Sequence, residues 1–580
     1  MALTASFYTG LSGLNAHARR LDVIGNNIAN ANTTGYKSSA LRFANQFSRT
    51  ISPGTPAGDP DAGTNPNQIG LGVYVSGTSR NFSDGSIAGT GDTRDVALEG
   101  RGFFVVQRGD DQSFTRAGGF RTNSDGILTT PDGDPVLGYG IDSNFGIERG
   151  SLGSLPIPIG SMTLTRATTS TNFQGNLRAD GDVATTGTLI GLGSSATDGF
   201  GLIPSATVLP GAGNVLEPTS LLVEMSAAAA PNVPAFTAGQ SIEVREARLG
   251  GGTLPTRTLT INPATTVQDL MDFLRDAFAI DTSSANPDLS SPGLALNTTT
   301  GRLGITGNAG TINQIDLDSA DVRLLDGNGV YIGAPLTATT TVSAAGESTR
   351  TSFEVYDSLG APVAGRLAMT LVARDANGTT WKYTASSFAD ESPSPIIGTG
   401  TIRFDTLGRL VTTTPVSVSI DRPSSGAASP LTFDLGFDET GLTSLAQAQS
   451  LVALTAQDGA PPGTLATYKM DADGVIVGTF TNGLTRPLGQ LAVATFVNID
   501  GLIDEGSNLF RVGPGSGAAL IDPPRVGGRG SVVAGALEQS NVELGQEFID
   551  LIQTSTGYSA SSRVIRTADE LMQQLLVLGR

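Results

Sequence analysis

Asn27-Ile28-Ala29-Asn30-Ala31-Asn32-Thr33-Thr34-Gly35-Tyr36-Lys37 closes the first rhythmic stretch of the chain, and its reading decides the architecture. Leading into it, Phe7, Leu11, Leu14, Ala18, Leu21, Gly25 and Ile28 recur in alternating steps of four and three, a heptad stripe on an α-helix. At the other end Leu544, Phe548, Leu551, Ser555, Tyr558, Ser562, Ile565, Met572 and Leu576 keep the same rhythm. The two ends are therefore expected to pair as helices in a coiled coil. Gly10, Gly13 and Gly25 each cost the N-terminal helix about 0.5–1 kcal/mol against alanine, so it is expected to be marginal until packed. Arg19, Arg20, Lys37, Arg42 and Arg49 face only Asp22 in the first fifty residues. In the last fifty, Glu538, Glu543, Glu547, Asp550, Asp569 and Glu570 outnumber Arg563, Arg566 and Arg580. Exposed ion pairs add little stability, so this asymmetry bears on register alone.

With 580 residues the chain holds several domains, because single cores stop growing near roughly 250–300 residues. Charged residues reach only 15%, against a usual ~25%, and 75 glycines call for many turns between short strands. The absence of Cys excludes disulfides, thiolate metal sites and a cysteine nucleophile. The single His, His17, has Ala16, Ala18 and Arg19 as neighbours, which offer no ligand set; it is expected to pack on the helix surface. No catalytic constellation, metal or cofactor is expected, and 54 acidic residues without such a constellation are surface charge. A net charge of -19 with no basic stripe argues against nucleic acid as partner. The start Met-Ala-Leu-Thr-Ala-Ser-Phe lacks the basic and apolar regions of a cleaved signal peptide, and no eighteen-residue apolar run predicts membrane insertion.

Residues 51–70 are rich in Pro, Gly and Asp and read as a loop or linker, with Asp59-Pro60-Asp61 a turn in preference to a calcium loop. From Val73 the period changes to two. Asp95 to Val106 reads as two strands broken at Gly100 and Gly102, followed by hairpins with Asp125-Gly126 and Asp132-Gly133 turns. Gly100-Arg101-Gly102 lacks the Lys-Ser/Thr ending of a phosphate loop. Between 178 and about 345, Ser241–Arg245 and Thr258–Ile261 alternate as strands. There Thr266 with Asp269 can cap a helix through Phe278 whose face is Leu270, Phe273, Leu274 and Ala277. Phe353, Tyr356 and Trp381 are expected in a β-sandwich core, and Ser540 or Asn541 as the N-cap of the last helix.

The segment Asn27-Ile28-Ala29-Asn30 to Thr34-Gly35-Tyr36-Lys37, together with Ser540-Asn541-Val542-Glu543-Leu544, resembles the paired signature of the flagellar rod and hook axial proteins. Gly102-Phe103-Phe104-Val105 with Thr115-Arg116-Ala117-Gly118 is similar to a block shared by rod and hook members. The stretches 168–177, Tyr356-Asp357-Ser358-Leu359-Gly360 and 465–510 resemble the hook branch, which the length also favours. One departure is Ser555-Thr556-Gly557-Tyr558, where the family commonly has a Gln-Arg-Ala-Tyr type of sequence; helix stability there is in question.

The expected fold is multi-domain and mainly β, with N- and C-terminal α-helices pairing as a coiled coil in a nested, discontinuous topology. Residues 1–50 and 536–580 form the helical axial domain, 51–72 a linker, and 73–166 with 463–535 an inner β domain. Residues 167–177 with 346–462 form an outer β domain, and 178–345 an additional inserted outer α+β domain. The resemblance implies a subunit of the flagellar hook, self-assembling into a curved, flexible tube that transmits torque from rod to filament around a central export channel. Its implied partners are copies of itself, the distal rod, hook cap and hook-filament junction proteins, and the flagellar type III export apparatus. Its implied place is the extracellular hook of the bacterial flagellum. Phe7, Leu11, Leu14, Leu21, Ile28, Leu544, Phe548, Leu551, Tyr558, Ile565, Met572 and Leu576 are the candidate polymerisation residues. Asn27, Asn30, Thr34, Gly35, Tyr36, Lys37, Ser540, Asn541 and Val542 carry the family motif as a helix exit and subunit contact. A distal rod subunit and a secreted β-rich adhesin are the alternatives; self-assembly into curved tubes separates the adhesin, and the shorter length of rod proteins separates the rod.

Overall fold

The computed structural model describes residues 2–58, 62–203, 215–411 and 416–578; the turn expected at Asp59-Pro60-Asp61 and the terminal Arg580 lie outside them. Among the described residues there are three α-helices, α1 (Ala2–Ala29), α2 (Val267–Ala277) and α3 (Leu544–Leu578). Almost all other regular structure is antiparallel β, so the fold is mainly β with a helix at each end. The chain divides into a terminal unit, residues 1–164 with 464–580, and a central unit, residues 165–463.

In the terminal unit the strands Val96–Glu99 and Phe103–Arg108 carry the apolar runs that nucleate its core. The chain kinks between them because Gly102 sits at φ 133°, and a Cβ there would lie 2.3 Å from Val493 Cγ1. Leu98, Phe104, Phe120, Ile476, Leu491 and Val493 are packed in one cluster. Phe103, Phe114, Phe496 and Phe510 form a second, with rings edge-on at 4.9–5.9 Å. The C-terminal return of the chain completes these sheets. Ser531–Ala534 pairs with Val96–Glu99, and Ala536–Glu538 with Ile87–Gly89.

Between helix and core runs a double ribbon of β1 (Ser39–Asn45), β2 (Ser48–Ser52), β3 (Asn67–Gly70) and β4 (Val73–Arg80), with β1 paired to β4 and β2 to β3. The stretch 51–72, expected to be loop or linker, is thus partly a β-hairpin arm. Pro53, Pro56 and Pro66 fall outside its paired residues, so their missing N–H groups remove no ladder bond.

The central unit has two cores. Phe173, Phe353, Trp381, Tyr383, Phe404 and Phe433 fill one, between a sheet of Ser348–Tyr356, Pro362–Asp375, Gly378–Ser386 and Ile396–Phe404 and a second four-stranded sheet. Tyr356, grouped by sequence with Phe353 and Trp381, is only half-buried, because side chains alternate along the strand and Phe353 and Val355 take the core face. The other core lies within 178–345 and includes Leu270, Leu274 and Ala277 of α2. A capping box starts that helix: Thr266 Oγ1 accepts from Asp269 N at 3.2 Å, and Asp269 Oδ2 accepts from Thr266 N at 2.8 Å.

Charged contacts tie the two cores together. Lys382 Nζ lies 2.7 Å from Asp281 Oδ2 and donates to Ser284 Oγ, while Arg350 Nη1 donates to Leu249 O at 2.8 Å. Burial pushes the Asp281 carboxyl up, but hydrogen bonds from Lys382 and Ser283 outweigh it, so its pKa lies below the ordinary value. Lys382→Ala strands the buried Asp281 and is expected to cost about 3–5 kcal/mol. The double substitution Lys382→Met with Asp281→Asn is expected to recover most of that. Denaturant titration followed by fluorescence of Trp381, the only tryptophan, measures both. Equal stability of Lys382→Ala and the parent chain would refute the coupling.

Candidate functional site: the joined chain ends

The helices α1 and α3 pack antiparallel within the terminal unit. Residue pairs run Gly10 with Ile565, Gly13 with Ser561, His17 with Gly557, Arg20 with Asp550 and Asn27 with Glu547. The contact therefore follows Gly10, Gly13, His17, Arg20, Ile24 and Asn27 on α1 against Glu547, Asp550, Thr554, Gly557, Ser561 and Ala568 on α3. Small residues let the backbones approach; a Cβ on Gly10 would already sit 3.0 Å from Ile565 Cγ1.

This corrects the expected register. The heptad rhythm is present on both helices and the expected Ile565 does meet Gly10, but the other intramolecular contacts fall one residue before the predicted position: 10 for Leu11, 13 for Leu14, 20 for Leu21 and 27 for Ile28. On α3 it is 547 for Phe548, 550 for Leu551 and 557 for Tyr558. The cause is size where the helices come closest, since that approach selects Gly10, Gly13, Gly557 and Ser561 over the neighbouring Leu and Phe positions. A residue step turns a helix by about 100°. In an antiparallel pair, a one-residue offset in the same chain sense turns both large stripes toward the same side. Phe7, Leu11, Leu14, Leu21 and Ile28 thus lie toward the same side of the pair as Leu544, Phe548, Leu551, Tyr558, Met572 and Leu576, while Ile565 reaches the seam at Gly10. None of them is fully buried, and Leu544, Phe548 and Leu576 are 44%, 52% and 74% exposed.

At the α1 exit the motif residues form one hydrogen-bonded junction with the C-terminal return. Asn27 is buried; its Oδ1 accepts from Ser39 N and Tyr36 OH, and its Nδ2 donates to Ser39 O at 2.8 Å and Glu547 Oε1 at 2.9 Å. Asn30 serves locally, donating to Asn26 O and accepting from Thr33 Oγ1. The Thr34 carbonyl accepts from Asn508 Nδ2. Gly35, at φ 71°, donates its N–H to Glu538 O, and a Cβ there would meet Ala117 N at 2.7 Å.

The centre of the junction is Glu538, which is fully buried. Its Oε1 accepts from Lys37 Nζ at 2.6 Å and Gly85 N at 2.9 Å, and its Oε2 from Arg116 Nη1 at 3.2 Å. Lys37 also donates to Ser83 O at 2.6 Å; burial lowers its pKa against the opposing pull of Glu538. Arg116 donates to Leu98 O and Gly100 O and stands over the Phe103 ring at 5.5 Å. Asn541 Oδ1 accepts from Ser38 N, and its Nδ2 donates to Asn81 O and Ser83 O. Neither it nor Ser540, whose Oγ accepts from Val542 N, caps α3, which starts only at Leu544. Val542 is half-buried. Sequence reading placed Lys37 and Asn541 in the motif but gave no role to Glu538 and Arg116; ionic residues inside apolar β blocks were the available signal.

Gly557, where helix stability was in question, lies within continuous α3, and its lack of a side chain admits the His17 ring. A Cβ at 557 would stand 2.7 Å from His17 Cε1 and Nε2. His17 also meets Phe43 edge-on at 5.8 Å, and its Nδ1 is buried without a partner.

Comparison with known proteins gives four family matches. They are the Flagella basal body rod protein over residues 7–37, the Flagellar hook protein FlgE/F/G D1 domain over 97–183, the Flagellar basal body protein FlaE D2 domain over 325–460, and the Flagellar basal body rod FlgEFG protein C-terminal over 533–578. The Flagellar hook protein FlgE of Treponema pallidum (strain Nichols) is 26% identical over 609 aligned residues, covering 99% of each chain. That of Caulobacter vibrioides is 28% identical over 637, covering 100% of each. Among solved structures, the Helicobacter pylori flagellar hook protein FlgE2 covers 78% of this chain and 100% of its own at 18% identity, with a TM-score of 0.35.

Two measurements test the seam. Gly557→Ala gains helix propensity but overpacks His17, with an expected net loss of about 1–2 kcal/mol. Adding His17→Ala should remove the penalty; additive losses in thermal unfolding would refute the contact. Burial, and then Arg20, lower the His17 pKa below 6.5. The unfolded chain therefore takes up this proton first, so stability present above pH 6.5 is lost as pH falls through the folded value. Thermal melts at pH 7.5 and 5.5 should show this loss in the parent and a smaller one in His17→Gln; identical pH dependence would contradict it.

Proposed function

Because this chain belongs to the flagellar hook protein family, it is a structural subunit of the bacterial flagellar hook and not an enzyme, and we propose how its joined ends serve that role. The two terminal helices act as a coiled-coil pair whose free side, from Phe7 to Ile28 and from Leu544 to Leu576, packs on neighbouring copies. The observation that carries this reading is the row of exposed large apolar side chains on the pair, with Leu11, Leu544, Phe548, Tyr558, Met572 and Leu576 between 37% and 74% exposed. Stacked helically, such pairs line a central export channel, and the assembled tube bends while transmitting torque from rod to filament.

The division into axial residues 1–50 and 536–580, inner β residues 73–166 and 463–535, outer β residues 167–177 and 346–462, and an inserted domain at 178–345 fits a nested chain. It starts and ends in the same layer. Low charge suits outer contacts that slide, because apolar contacts are non-directional where fixed ion pairs are not. Distal rod, hook cap and hook-filament junction proteins are the neighbours this role requires. The type III export apparatus is the delivery route.

Leu14→Asp or Leu21→Asp places a carboxylate in the proposed interface and is expected to raise the critical concentration for polymerisation at least about a hundredfold. The Trp381 unfolding transition of the central unit should not change. Electron microscopy and sedimentation decide: normal curved tubes from either variant would overturn the assignment of this face.

A further inference from the structure

A groove lies on α1 away from the seam with α3, sharing Leu11 with the stripe described above. Tyr8 and Leu11 with the ribbon residues Phe47 and Leu71 border this groove of about 420 Å³, floored by Ala5 and Ser12. Tyr8, Leu11 and Phe47 are 66%, 37% and 71% exposed. At about 100° per residue, these α1 positions point well over a quarter turn from the Gly10–Gly13–His17 seam, so the chain's own α3 cannot fill the groove.

The end of α3 has the complementary defect. Beyond Ala568, the last of its residues buried in the pair, every described side chain is exposed. Leu571, Leu575 and Leu576 are 50%, 54% and 74% exposed and, with Met572, form one apolar face opposite Asp569, Glu570, Gln573 and Gln574. An apolar helix face of this kind is a packing face. Its charges are Asp569 and Glu570, beside the negative end of the helix dipole, while the strands that flank Phe47 carry the exposed Arg42 and Arg49.

We propose that the last turns of α3 from a second copy of this chain dock in the Tyr8–Leu11–Phe47–Leu71 groove. The proposal rests on the polymerisation reading above and adds a specific contact to it. The contact is heterologous, with tail and groove at different places on one molecule, so repetition builds an open helical assembly in place of a closed dimer. It also gives the β2–β3 ribbon a task that a plain linker would not have.

The chain contains no Cys, which makes cross-linking unambiguous. Full-length Phe47→Cys and Leu575→Cys chains are mixed, polymerised and oxidised with copper phenanthroline. The expected result is a disulfide-linked dimer from the mixture, and none when Val497→Cys, exposed elsewhere on the terminal unit, replaces Phe47→Cys. A chain ending at Gln574 should need at least a tenfold higher concentration to polymerise. Tubes that form without the 47–575 cross-link, or a truncated chain polymerising at the parent concentration, would overturn the docking while leaving the hook reading intact. A parent chain that never forms tubes would overturn both.

Discussion

Everything at the ends of this chain depends on one buried carboxylate. Glu538 arrives on the last short strand and meets Lys37 from the exit of α1 and Arg116 from the β core, with two cations sharing its oxygens. Taking three ionised groups out of water costs several kcal/mol each, and the cost is offset only where the geometry satisfies every donor and acceptor. Here the carbonyls of Ser83, Leu98 and Gly100 and the N–H of Gly85 supply most of that geometry, leaving Arg116 Nε as the one buried donor of the cluster without a partner. The cluster therefore forms only when residues from both ends and the core are in place together. That coupling explains why Gly35 must be glycine: its N–H reaches the Glu538 carbonyl through a gap that admits no side chain.

The helix pair shows the same economy in apolar form. Where the helices come closest, the inner stripe is Gly10, Gly13, Gly557 and Ser561 with one imidazole seated over Gly557, flanked by the polar contacts of Arg20 with Asp550 and Asn27 with Glu547. The large side chains stay on the adjacent stripe. A subunit built this way is held at its junction and only modestly along its helices, and it leaves Leu544, Phe548 and Leu576 largely exposed. Glycines at 10 and 13 that weaken an isolated helix are what allow the paired one to form.

Much of this was legible in the sequence. The heptad rhythm located both helices, the period-two runs with Asp-Gly turns located the hairpins, and Thr266 with Asp269 marked the start of α2. The register was not legible, because hydrophobic periodicity finds a face and cannot say which of two adjacent heptad stripes meets the partner helix and which meets a neighbour. Pattern reading prefers Leu11 and Leu14; close packing prefers Gly10 and Gly13. The hairpin within 48–70 was missed because its prolines and glycines dominate the composition while its paired residues are few. Glu538 and Arg116 were missed because an ion pair formed across more than four hundred residues leaves no local pattern.

Native-state hydrogen exchange tests the central claim most directly, that one buried cluster makes the two chain ends a single cooperative element. In the parent chain, the amides of Gly35, Ser39 and Gly85 should exchange with one shared opening free energy. In Glu538→Ala, all three should lose protection together with α1 and α3, by about 3–5 kcal/mol of opening free energy. Loss confined to Gly35 and Gly85, with Ser39 and both helices protected as before, would contradict the account.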